Sequence, residues 1–162
     1  SIPWFEAPPE NSLIRARNMM VKSGALNLVG EITEKGKQIV KFPINPRLGM
    51  ALLTAKELGC LPAFALLFAL TEDRSPIIHK DFKRDLISTN QFKNSNRANY
   101  PELDSDLKLL LSVWIYAKEE SFSIDRCKYV GIHAIRCQEA EKLALRFCTI
   151  AKEENCSFEF HK

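Results

Sequence analysis

The stretch Gly30-Glu31-Ile32-Thr33-Glu34-Lys35-Gly36-Lys37-Gln38 invites a chemical reading first, because a glycine-bounded loop closing on Gly-Lys can cradle phosphate. A phosphate loop needs four residues between its glycines, then Lys followed by Ser or Thr. Here five residues intervene, and Gln38 stands where a Mg²⁺-ligating hydroxyl belongs. No strand pattern precedes the loop, so nothing aims its amides at an anion. Asp104-Ser105-Asp106 begins like a calcium loop, but apolar Leu107 to Leu111 replace the glycine and closing Glu such a loop requires. Helix capping is the expected role there. His79, His133 and His161 are far apart and none has a partner at i+4, and Cys156 with His161 lacks a second ligand pair. No Ser, Cys or Lys carries a recognisable nucleophile signature. We therefore expect no catalytic residue, no metal site and no cofactor site in this chain.

The remaining chemistry is electrostatic. Between Thr71 and Leu103 the sequence turns polar, and Lys80, Lys83, Arg84, Lys93 and Arg97 outnumber Asp81 and Asp85, with His79 alongside. Such an excess can reach backbone phosphates. Only Phe82 and Phe92 are at hand for base stacking, so a plain solvated loop is the competing reading.

The elements around these residues read as helices. The approach Trp4-Phe5-Glu6-Ala7-Pro8-Pro9-Glu10 leads into a helix carrying Leu13, Ala16 and Met20 and stopping near Ser23-Gly24. Gly30 offers a turn, and Thr33 caps a second helix expected to reach Phe42. Asn45 before Pro46 is the clearest helix start in the chain, followed by a stripe of Leu48, Ala51, Leu52, Ala55 and Leu58 that Gly59 ends. Pro62 to Leu70 is apolar nearly all round and reads as a buried central helix. A helical piece at Asp81–Ser88 is expected within an otherwise mobile polar loop, about 72–103. Order returns with a helix burying Leu107, Leu110, Leu111, Trp114 and Ala117, then a short one from Ser123 to Gly131. A last helix from about His133 to Asn155 packs Cys137, Ala140, Ala144, Phe147 and Ala151 inward. Strand signals are almost absent. The fold class is mainly α, a helical body from Pro43 onward preceded by a smaller unit, 1–42.

Composition bounds the rest. The chain has 162 residues, 46% of them hydrophobic, which excludes a wholly disordered protein and predicts about one domain of ordinary size. The longest apolar runs, Ala63–Leu70 and Leu107–Trp114, fall well short of the ~18 residues of a membrane span. A net charge of +3 permits nucleic-acid contact without demanding it. Five cysteines, an odd count without a C-x-x-C, read as buried free thiols of a cytoplasmic protein. The chain starts at Ser1 with no basic-then-apolar leader, so we expect a piece of a longer protein.

Several phrases in order carry a resemblance: Trp4-Phe5-Glu6-Ala7-Pro8-Pro9, Leu13, Ser23-Gly24-Ala25-Leu26-Asn27, Gly30-Glu31-Ile32-Thr33, Gly36 and Phe42-Pro43-Ile44-Asn45-Pro46-Arg47-Leu48. Together with Leu58-Gly59-Cys60, Leu70-Thr71-Glu72 and Gly131-Ile132, they resemble the region downstream of the motor in DEAH-box ATP-dependent RNA helicases, the bacterial HrpB type most. The resemblance implies that residues 1–42 are the second half of a winged helix and that 43–162 are a helical ratchet (HA2) domain. It implies that ATP, Mg²⁺ and the motor domains of the same polypeptide belong outside this chain. The partner it implies is single-stranded RNA, with DNA as a variant, threaded past basic side chains. Candidate contacts are Arg47, Lys80, Lys83, Arg84, Lys93 and Arg97. An incomplete winged helix would leave Trp4, Phe5 and the Leu13 face uncovered. Two positions depart from the family phrases: Asn27 stands for Asp, and Lys35 for a packing Leu.

Two other readings compete. One is a stand-alone helical module that binds a protein partner. The other is a helix-turn-helix DNA reader, weakened because the helix after Thr33 offers only Lys35, Lys37, Gln38 and Lys41 to base edges.

Overall fold

A computed structural model describes residues 5–72, 74–78, 105–152 and 158. Among them are seven α-helices and no strand, only two isolated antiparallel bridges, as the sequence pattern predicts. The chain divides into two compact units, Ser1–Thr54 and Ala55–Lys162. The Asp81–Ser88 helix, the polar loop and Trp4 lie outside the described residues.

In the first unit α1 spans Glu10–Lys22, with acidic Glu10 in its first turn and basic Lys22 in its last, both favourable to the helix dipole. Gly24 ends it with φ at +73°, a left-handed geometry that a side chain would strain. No residue of α1 is buried, in agreement with the uncovered Leu13 face expected from the sequence. Leu13 and Ile14 are about half exposed and Phe5 is fully exposed.

The chain then doubles back. Asn27 closes the reversal with its side chain, Oδ1 accepting from Gly30 N and Glu31 N at 2.9 Å each, and Leu26 pairs with Ile32. Asn27 thus closes the turn through its own side chain. Next, α2 spans Glu34–Ile39, shorter than the sequence suggested, because its last amides close tight turns at Lys41 and Phe42. Helix α3, Pro46–Glu57, opens on Asn45, whose Oδ1 accepts from Arg47 N at 2.9 Å. Ala25, Ile39, Phe42, Leu52 and Leu53 are the buried apolar residues of this unit.

In the second unit α4 (Leu61–Glu72) carries Leu61, Ala65, Leu66, Phe68, Ala69 and Leu70 in full burial. Each large one contributes about 1.5–3 kcal/mol. Its main neighbour is the last helix, α7 (Ala134–Ile150), against which α5 (Asp106–Glu119) and the short α6 (Ile124–Tyr129) also pack. Small residues Ala65, Ala69, Ala140 and Ala144 allow close approach there, and Phe68 meets Phe147 at 5.6 Å between ring centres. All five residues expected to face inward from α7 do so.

Two expectations fail on the faces of the other helices. Leu58 is 74% exposed while Leu53 is buried in its place, and Leu107 is about half exposed at the start of α5. Both misplaced residues lie at helix ends, where the apolar stripe outruns the packed length.

Hydrogen bonds fasten the ends of this unit. The 75–78 segment is tied to the start of α7 by Ile78 N to Gly131 O, His133 N to Pro76 O and Arg136 Nη1 to Ser75 O, each 2.8 Å. Lys56 Nζ donates to Ala151 O at 2.6 Å and Lys152 O at 2.7 Å, satisfying carbonyls at the C-terminal end of α7. Lys118 sits 3.2 Å from Glu141 Oε1 with its ammonium 4.7 Å from the Trp114 ring centre, and Phe158 meets that ring edge-on. Cys60, Cys127 and Cys137 are free thiols, but Cys148 is disulfide-bonded, which corrects the expectation that every cysteine is free. Sequence spacing does not reveal which cysteines approach within bonding distance.

Candidate nucleic-acid interface

The phosphate-loop imitation resolves into ordinary structure. Gly30 sits in the Asn27 turn, and the amide of Gly36 donates to Thr33 Oγ1 at 3.0 Å, so the helix start is capped by its own side chain. Gly36 is buried with its Cα facing the Ala25 carbonyl, so its lack of a side chain serves packing. Ser105 likewise acts as a cap, accepting from Lys108 N at 3.3 Å. Among the described residues no group of three or more His, Cys, Asp or Glu could hold a metal ion.

The buried thiols Cys127 and Cys137 are not poised for nucleophilic work. Burial pushes the Cys137 thiol up to about 12, with Cys127 a lesser influence, and burial raises Cys127 as well. Burial also raises the Tyr116 phenol. An apolar pocket of about 240 Å³ in the first unit, reaching from Met20 to Ile39 and Phe42, is lined entirely by apolar residues. No side chain of its lining is polar or charged, so none is placed there to orient a substrate. Among the described residues no helix is long and apolar enough to cross a membrane.

Arg47 is the one sequence-expected contact residue among those described; Lys80, Lys83, Arg84, Lys93 and Arg97 lie outside them. Arg47 is exposed in the first turn of α3, held there by the Asn45 cap and Pro46. Its Nε lies 2.7 Å from Met19 Sδ on α1. That contact draws in side chains the sequence reading passed over. Asn11, Arg15, Asn18 and Lys22, at i, i+4, i+7 and i+11, form one polar stripe of α1, and Arg15 and Lys22 at i−4 and i+3 from Met19 flank it. All four stripe residues are exposed, and none is a carboxylate. The signal in the sequence is the polar spacing i, i+4, i+7 and i+11 from Asn11 to Lys22, which the apolar spacing of Leu13, Ala16 and Met20 on the same helix overshadows.

No protein-family model matches the chain. A 58-residue stretch, 36% of the chain, is 36% identical to the Saccharomyces cerevisiae protein named "Probable ATP-dependent RNA helicase DHR2". The matched stretch spans 8% of that protein's length. The chain is thus related to an RNA helicase over about a third of its residues, and the likeness is to a small part of a much longer protein.

Proposed function

We propose that this chain is an accessory nucleic-acid-channel region of an ATP-dependent RNA helicase of DEAH-box type, guiding single-stranded RNA for motor domains outside it. The observation that carries this reading is the 36% identity to the yeast helicase. The absence of a catalytic constellation among the described residues is compatible with it but does not argue for it. In this reading the first unit derives from a winged helix, the second is a ratchet (HA2) domain, and the parent protein is of HrpB type. ATP and Mg²⁺ serve the motor, and the parent protein works in the cytoplasm. Arg47 acts with Lys80, Lys83, Arg84, Lys93 and Arg97 on backbone phosphates, so binding is insensitive to base sequence.

The test is direct. The chain should bind a labelled oligouridylate and an oligoadenylate with similar affinity, more weakly as salt rises, and should not hydrolyse ATP. ATP turnover by a clean preparation overturns the accessory role. No RNA binding at low salt, together with a defined protein complex, favours the stand-alone interaction module. Strong preference for one duplex DNA sequence would revive the helix-turn-helix reading, which the two-turn length of α2 disfavours.

A further inference from the structure

We infer that the polar face of α1, joined by Arg47, is a phosphate-binding track for single-stranded RNA; this rests on the function proposed above and locates part of its surface. Arg15 and Lys22 stand two helical turns apart, about 10 Å, with Met19 between them. Arg47 reaches that midpoint from α3. Three cations of two different helices therefore lie along one line, with Asn11 and Asn18 adding amide donors at its edge.

Among the described residues no salt bridge engages Arg15, Lys22 or Arg47. Glu10, the acidic residue of α1, lies well around the helix from Met19, toward the opposite side. Lys37, by contrast, is engaged by Glu34 at 2.7 Å and contributes less net field. Arg15 Nε donates to Asn11 O at 3.2 Å, and with no carboxylate along the row its net positive charge suits a polyanion such as a nucleic-acid strand. No aromatic side chain lies on this face, so it contacts phosphates and leaves bases unread.

The length of the row distinguishes RNA from a short acidic peptide only weakly, so the experiment carries both ligands. The triple variant Arg15→Gln, Lys22→Gln, Arg47→Gln is compared with a charge-matched control, Lys128→Gln, Lys142→Gln, Arg146→Gln, in the second unit. All six side chains are exposed, so both variants should keep the circular dichroism of the parent. Affinity for a fluorescein-labelled oligouridylate is measured from about 0.1 M to 1 M salt. Losing three phosphate contacts should flatten the slope of log K against log salt by about 2, roughly a hundredfold weaker binding at 0.1 M and near parity at 1 M. The control should change neither quantity by as much as half of that.

If the parent chain binds and the triple variant binds equally well, the α1 track is wrong while the proposed function stands. If the parent chain binds no oligouridylate, both are wrong. If the triple variant keeps oligouridylate but loses a polyglutamate peptide, the face serves an acidic protein partner and the RNA assignment is overturned.

Discussion

Replacing Gly36 by Ala tests the packing of the first unit more sharply than any truncation. In a solvent-exposed helix this change adds about 1 kcal/mol of stability, because Gly is the poorer helix former. Here the new Cβ would strike the Ala25 carbonyl oxygen and lie 2.8 Å from Ile32 Cγ1. The carbonyl cannot swing aside freely, since it accepts from Thr33 N at 3.0 Å and from Thr33 Oγ1 at 3.2 Å. Overpacking costs about 1–3 kcal/mol, and weakening those two hydrogen bonds adds about 1 kcal/mol together. Set against the propensity gain, Gly36→Ala should destabilise the unit by about 2 kcal/mol. Amide hydrogen exchange across α2 should then quicken by about 30-fold. Gly49→Ala is the comparison, because its Cβ would meet Ile39 Cγ2 at 3.3 Å, Ile39 O at 3.4 Å and Phe42 Cδ2 at 3.6 Å, none of them a clash like that at Gly36, and its effect should stay under about 1 kcal/mol. Unchanged or slower exchange in Gly36→Ala, with the helix intact, would refute the close approach of α2 to residue 25.

Lys56→Met should lower stability by about 1–2 kcal/mol in urea unfolding, because Ala151 O and Lys152 O lose their donor while the apolar stem is retained. Ala144→Leu should cost about 1–3 kcal/mol, or more, since Ala144 is fully buried on the inward face of α7 and Leu has no room there. In the folded protein a thiol reagent near pH 8 should modify exposed Cys60 and spare Cys127 and Cys137, with prompt Cys137 labelling the result that overturns this. The same burial has a pH consequence. The Cys137 thiol, pushed up to about 12, stays protonated while the unfolded thiol ionises near 8.5, so stability is intact below about 8.5. It should fall by up to about 1.4 kcal/mol per pH unit as pH rises from there toward 12, which denaturant midpoints at several alkaline pH values would measure.

Local rules made the helix boundaries legible. Thr33, Asn45 and Ser105 accept helix-start amides, and Gly24 stops α1, as their residue types predict. The inward face of α7 was readable because it is long and regular. Burial was readable only where a neighbour covered the face. Leu13 and Ile14 have the spacing of a core helix and remain half exposed, because periodicity records what a face could bury and not what lies against it. The candidate interface was less legible still. Arg47 drew notice through its place beside Pro46, but its meeting with Met19, 28 residues away, is tertiary and leaves no local trace.

Helix α4 bears on how the chain must be made. It is apolar around its whole circumference, and α7, its chief cover, begins only at Ala134. During synthesis about 60 residues separate the emergence of one from the other, roughly 3–12 s at ordinary elongation rates. For that interval Leu61, Leu66, Phe68 and Leu70 have no completed partner surface, which makes this short helix the segment of the nascent chain most in need of a chaperone.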